Sequence, residues 1–267
     1  MGAGIAQNLI QNGCSVVVRE ATVEAAEAAH GRVRAGLQRA HRKADDPDRA
    51  VRDDLERLQV VHDLPIIEPS LVIEAVPELP ELKATVLTEL ATAYPTSLLA
   101  TNTSSLSVGA LAEHVTDPER FIGMHFFNPV PVSSLVELVV ADHTSAATLD
   151  RAKAWVDHLD KVAIVVRDSP GFATSRLGLA LGLEAIRMVE EGVAGVEDID
   201  RGMELGYKHP MGPLRLTDLV GLDVRLGIAE HLEATLGPRF KPPELLRSMV
   251  ADGKLGRKVG QGFHPWP

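Results

Sequence analysis

Short apolar runs separated by longer stretches of helical pattern constrain this chain more than any other feature. The runs are CSVVVRE, LVIEAVPE, TSLLATNTS, RFIGMHFF, SSLVELVV and KVAIVVRD. Runs this short and this apolar fit strands buried on both faces. Helices alternating with such strands build a doubly wound α/β sheet. After Asp168 the composition turns wholly helical, opening with Pro170 and Gly171 in DSPGFATSRLG. The expectation is therefore an α/β domain over residues 1–168, with a helical hairpin, followed by an all-α domain over 169–267. A chain of 267 residues, 45% hydrophobic, is long enough for two ordinary cores.

The stretch from Thr101 to Val140 carries the chemistry. It sets Ser104, His125, Asn128 and Glu137 at or near the ends of successive apolar runs, which is how an α/β sheet assembles a site from distant residues. His125 lies where RFIGM gives way to FFNPVP, a run stopped by proline. Glu137 is a lone acid among β-formers, and its burial would cost several kcal/mol without a partner; His125 is the obvious one. Taken singly, a histidine beside two phenylalanines reads as a packed core residue, and Glu137 as the solvated face of an edge strand.

The first residues, MGAGIAQNLIQNG, read as a small-residue helix ending at Gly13 and leading into CSVVVRE. That is the back half of a βαβ unit. A dinucleotide fold has a strand followed by G-x-G-x-x-G, whose amides and helix N-terminus carry the pyrophosphate; this chain opens at the last of those glycines, Gly2. Glu20 ends the next strand, where an acid binds the adenosine ribose hydroxyls and favours NAD over NADP. Arg19 beside it could instead accommodate a 2′-phosphate. From Ala21 to Leu58 the pattern is helical and broken only at KADDPDR.

Charge and composition exclude other classes. A formal charge of −10 and a pI near 5.5 disfavour nucleic acid and anionic membranes as partners. No apolar run reaches membrane-spanning length, and no metal-ligand spacing stands out. Cys14 is the only cysteine, so no intramolecular disulfide forms and a cytoplasmic location is expected.

TNTSSL and GMHFFNPVP, spaced as they are, resemble the 3-hydroxyacyl-CoA dehydrogenase family, most of all its short-chain 3-hydroxybutyryl-CoA members. The likeness extends over nearly the whole chain. It implies a Rossmann-like doubly wound sheet, here lacking its first strand and first two glycines, and a helical C-terminal domain that mediates dimerisation. It implies NAD as cofactor and an acyl-CoA as substrate. His125 and Glu137 become the catalytic base and its orienting acid, and Ser104 a hydroxyl donor to substrate or cofactor. By the same likeness Gly2, Glu20, Glu78, Lys83, Ser104, Asn128 and Lys258 belong to the cofactor site; Glu78 and Lys83 stand in EAVPELPELK and Lys258 in RKVGQGF. Ser175 stands in PGFATSR where the family has an asparagine that positions substrate. A hydroxyl is shorter than an amide, so a water would bridge the difference. Two rival expectations are a related dehydrogenase of a free sugar acid, and an acyl-CoA-binding or scaffold dimer unable to use NAD because its phosphate loop is missing.

Overall fold

Alternating helices and strands occupy the first of two compact units, Met1–Asp168 and Ser169–Pro267, in a computed structural model that describes residues 1–267. In chain order the first unit contains α1 (Gly2–Gln11), β1 (Val16–Arg19), α2 (Val23–Ala40), α3 (Pro47–Leu55), β2 (Leu58–Val61), β3 (Leu71–Glu74) and α4 (Pro80–Ala93). It continues with β4 (Leu98–Thr101), α5 (Val108–Ala112), β5 (Phe121–Phe126), β6 (Leu135–Val140), α6 (Ala146–His158) and β7 (Val162–Arg167). Helix starts follow local chemistry. Thr22 caps α2 by accepting from the Ala25 amide at 3.2 Å, Asp46 precedes Pro47 and accepts from Arg49, and Ser145 caps α6.

The strands form two sheets rather than one. β1 pairs in parallel with β2 alone, Val16 opposite Leu58. The other sheet runs β3-β4-β5-β6-β7, with β3 to β5 parallel, β6 antiparallel to β5, and β7 parallel to β6. The reversal at β6 has a simple cause: residues 127–134 supply only eight positions between β5 and β6, too few for the crossover that a parallel neighbour requires. The break between the sheets leaves β1 and β3 each with one unpaired edge. Val16–Val18 and Leu71–Ile73 are only half-buried, whereas β4 and β5 are buried throughout. α1 bridges the break: Ile5 and Leu9 pack with Leu71 and Ile73, while Ala6 and Ile10 pack with Val16 and Val18.

One core lies on one face of the larger sheet. Leu98 and Ala100, then Ile122, Met124 and Phe126, then Val136 and Leu138 meet Ala152, Val156 and Leu159 of α6. Because side chains alternate along a strand, Gly123 and His125 of β5 and Glu137 and Val139 of β6 lie on the opposite face.

The second unit is wholly helical: α7 (Thr174–Glu190), α8 (Val196–Gly206), α9 (Pro213–Val220), α10 (Leu222–Leu236) and α11 (Glu244–Ala251). Leu179, Leu183, Ile186, Leu214, Leu222 and Leu232 are at the centre of its own core. Its last residues fold back on two buried acids. Asp218 accepts from the amides of Phe263 and His264, both at 2.8 Å, and from the Trp266 indole at 3.0 Å, while His264 Nε2 meets Asp200 Oδ2 at 2.8 Å.

Candidate active site

His125 and Glu137 face each other across the antiparallel β5–β6 pair as direct register partners. Their side chains therefore project from the same face as directly opposed neighbours. His125 Nδ1 lies 2.7 Å from Glu137 Oε2; His125 is 7% exposed and Glu137 is fully buried. A neutral imidazole that donates from Nδ1 to a carboxylate keeps Nε2 as the acceptor. Phe127 packs against the ring at 4.5 Å between centroids. The edge-strand reading of Glu137 does not hold, because β6 is an interior strand and the acid is buried, while His125 is both packed and paired with that acid.

A second cluster sits at the carboxyl ends of β3 and β4. β3 ends at Glu74, so Glu78 stands in the β3–α4 loop, four residues beyond the strand end. Its Oε1 accepts from the Thr103 hydroxyl, from the amides of Ser104 and Ser105 at 2.9 and 3.0 Å, and from the Ser105 hydroxyl at 3.1 Å. Burial pushes this carboxyl up, but the Thr103 bond, the Lys83 charge and the Ser104 amide outweigh it and hold the group at about 2. Lys83 is 1% exposed and donates to both oxygens of Glu74, at 2.8 and 3.0 Å, with Glu78 at 3.2 Å. Ser104 follows β4 in an exposed loop, tied to Glu78 by its amide, so its hydroxyl takes no part in those bonds. Sequence reasoning missed Glu74, Thr101 and Asn102, all buried here. The signal was present for Glu74, a lone acid ending the apolar run LVIE, just as it was for Glu137.

The remaining residues fall into three places. Asn128 is exposed in the loop after β5. Gly2 opens α1, and its position borders the same sheet edge: a Cβ there would lie 3.8 Å from Ala75 Cβ, and one on Gly4 would lie 3.3 Å from Val130 Cβ. Glu20 follows β1, its amide bonded to the Val61 carbonyl at 3.0 Å and its carboxylate 3.4 Å from Arg32. Arg19 is held by Glu89 at 2.6 Å, which turns it to a partner other than a 2′-phosphate. Ser175 and Lys258 belong to the second unit. Ser175 lies in the first turn of α7, and Lys258 makes a two-oxygen ion pair with Asp223 at 2.6 and 2.5 Å.

These groups fit a dinucleotide. The α1 N-terminus, with no side-chain cap at Met1, lies beside the loops that follow β3 and β5, where a helix terminus favours phosphate. An acid stands at the end of β1, where a ribose would be read. No helix is long and apolar enough to cross a membrane, and no cluster of three or more His, Cys, Asp or Glu side chains is arranged to hold a metal.

Comparison with known proteins agrees with this geometry. Residues 1–169 match the family model of the 3-hydroxyacyl-CoA dehydrogenase NAD binding domain, and residues 171–266 that of its C-terminal domain. A probable 3-hydroxybutyryl-CoA dehydrogenase from Deinococcus radiodurans is 40% identical over 269 residues, covering 100% of this chain and 96% of that protein. The mitochondrial hydroxyacyl-coenzyme A dehydrogenase of Sus scrofa is 36% identical over 276 residues, covering 100% and 88%. The crystal structure of (S)-3-hydroxybutyryl-CoA dehydrogenase PaaH1 from Ralstonia eutropha superposes with a TM-score of 0.94 at 37% identity, covering 100% and 95%. With both halves matched and relatives aligned over its full length, the chain belongs to the 3-hydroxyacyl-CoA dehydrogenase family.

Proposed function

We propose that this protein oxidises (3S)-3-hydroxybutyryl-CoA reversibly to the 3-oxoacyl-CoA, using His125 as the base. The observation that carries the reading is the buried His125–Glu137 pair, 2.7 Å apart on one sheet face. Oxidising a secondary alcohol requires removal of the hydroxyl proton together with a hydride. His125 Nε2 takes the proton, and Glu137 holds the tautomer and stabilises the imidazolium that forms. NAD, bound along the α1 N-terminus with Glu20 at its ribose end, would supply the hydride acceptor. Ser104 donates a hydrogen bond to the substrate oxygen or the cofactor, and Asn128 orients the nicotinamide end. Glu78 and Lys83 serve this site.

The same reading includes a homodimer formed through the helical unit, which exposes Leu177, Leu205, Tyr207 and Val224. It also includes a cytoplasmic setting, in keeping with a single free thiol at Cys14.

The test is NADH formation from 3-hydroxybutyryl-CoA, with free 3-hydroxybutyrate and a sugar acid as controls. Turnover of the thioester alone is expected, and His125→Ala should lower kcat by about a hundredfold or more with little loss of stability. Turnover of the free acid at an equal rate would favour the sugar-acid reading. A wild-type chain that binds acyl-CoA but forms no NADH would favour the scaffold.

A further inference from the structure

Arg225 stands where the pattern of α10 calls for an apolar residue. The buried face of that helix is Leu222, Arg225, Ala229 and Leu232, a single stripe at helical spacing. Leu222, Ala229 and Leu232 are fully buried, and Arg225 is 5% exposed. A long cationic side chain on such a face ordinarily carries its charge out to water. Here Nε is buried without a hydrogen-bond partner, and the terminal nitrogens lie over α7. A Cβ on Gly178 would meet Arg225 Nη1 at 3.6 Å and Nη2 at 3.8 Å, and nothing else outside its own helix within 4 Å.

Gly178 lies inside α7 without the positive φ that would require a glycine. A glycine there costs about 1 kcal/mol of helix propensity against alanine. Its Cβ would fit at ordinary contact distance, so backbone crowding does not exclude a side chain; a longer one would displace the guanidinium. Two choices that work against stability, a glycine within a helix and an unpaired buried cation, thus meet at one point. Together they hold a fork of N–H donors for which the helices supply no acceptor. Local choices of this kind mark functional positions. Burial lowers the guanidinium to about 10, which leaves it charged near neutrality, and no other charge contributes to that shift. One cation without a neighbour balances one negative charge. A planar carboxylate held by two N–H groups matches it better than a dianionic phosphate.

We propose that Arg225, seated over Gly178, is a binding subsite in the helical unit for a small organic carboxylate. The ligand supplies the counter-ion and the acceptors that the surrounding helices withhold. Its carboxylate is either the far end of an acyl chain carried on CoA or that of a free acid, and two measurements separate these sources.

The first is thermal unfolding in sodium glutarate against sodium chloride at equal ionic strength. Glutarate should raise the wild-type Tm by about 3 °C or more over chloride, and the two salts should act alike on Arg225→Met. Arg225→Lys keeps the charge but not the fork, and should lose most of the difference; it serves the same comparison if Arg225→Met does not fold. The second is steady-state oxidation of 3-hydroxyacyl-CoA thioesters paired by chain length, one ending in methyl and the other in carboxylate. If the acid arrives on the acyl chain, Arg225→Met should lower kcat/KM for the carboxylate member by about tenfold or more relative to its methyl partner. A Tm response with that selectivity unaltered assigns the subsite to a free acid. Only the kinetic arm rests on the dehydrogenase reading, so a wild-type chain inactive on every thioester would defeat that reading and leave the unfolding result to decide the subsite. Equal Tm responses in wild type and Arg225→Met, with no change in selectivity, would overturn the proposal. So would an effect of Arg225→Met confined to self-association, which would give the guanidinium to an acid of a second copy.

Discussion

At the scale of single residues, the dyad, Glu78 and Arg225 each make a distinct demand on their surroundings. Glu137 has no solvent to fall back on, so its charge depends on partners such as His125. Glu137→Gln keeps the shape but cannot stabilise the imidazolium. It should lower kcat by about tenfold to a hundredfold at the same step as His125→Ala, and the double variant should be no worse than His125→Ala alone. Additive losses in that cycle would mean the two act separately.

Glu78 makes a pH prediction. Its carboxyl lies at about 2 in the fold against an ordinary 4.5. A depressed acid contributes stability that is fully present above pH 4.5 and lost as pH falls through about 2. With its side chain 32% exposed, that contribution is about 1–3 kcal/mol. Urea unfolding of Glu78→Gln should be weaker than wild type at pH 6, with the gap closing between pH 4.5 and 2; a gap independent of pH would exclude the charge as its cause.

Arg225 on α10 makes the opposite case. It is 5% exposed, its Nε has no hydrogen-bond partner, and burial alone pulls the guanidinium down to about 10. A buried unpaired charge costs more than an apolar side chain of similar length. Arg225→Met should therefore stabilise the helical unit by about 1–3 kcal/mol, seen as a higher Tm. A lower Tm would show that the guanidinium contributes more than it costs.

At the scale of elements, the β5–β6 pair decides whether a site exists at all. Gly123 lies opposite Val139 in that pair, and a Cβ on it would come within 2.8 Å of Val139 Cβ and 2.9 Å of Val108 Cγ2. All these groups are branched and buried, so none can swing away. Gly123→Ala should cost about 1–3 kcal/mol in urea unfolding, and it should lower kcat because the strand that must shift carries His125 two residues on. A neutral outcome on both counts would mean that the pair is looser than its spacing indicates. Helix α1 is the other decisive element. It contributes to two cores of the first unit, so it joins two sheets that share no hydrogen-bonded strand.

For the whole molecule, the consequence of that geometry is a pair of unpaired strand edges, on β1 and β3, that meet through α1. Strands as apolar as Val16–Val18 and Leu71–Ile73 are ordinarily buried within parallel sheets, yet here both are half-buried. Supplying a strand followed by G-x-G-x ahead of Met1 should pair both open edges and add backbone amides at the α1 N-terminus. Calorimetric titration should then find tighter NAD binding, and thermal unfolding a higher Tm, than for the 267-residue chain. Equal, tight binding by both would mean that the cofactor is held without the glycine-rich amides.

Much of this organisation was legible in the residues themselves, because its causes are local. Strands follow from short apolar runs, helices from period and caps, and the change at Asp168 from the loss of β-branched runs. The pairing of His125 with Glu137 was also legible, since a lone acid in an apolar run needs a buried partner, whereas the antiparallel register that sets them face to face is a property of the fold. β2 was missed because Leu58–Val61 is four residues long and follows directly on a helical pattern. What only the tertiary structure decided concerns groups brought together from distant parts of the chain. A lone lysine on a helix reads as solvated until Glu74 and Glu78 are seen around it, and Lys258 reads as free until Asp223 is found 35 positions away. The sequence specifies which charges exist, but desolvation and contact determine what each is worth, and both arise only when the chain is closed around them.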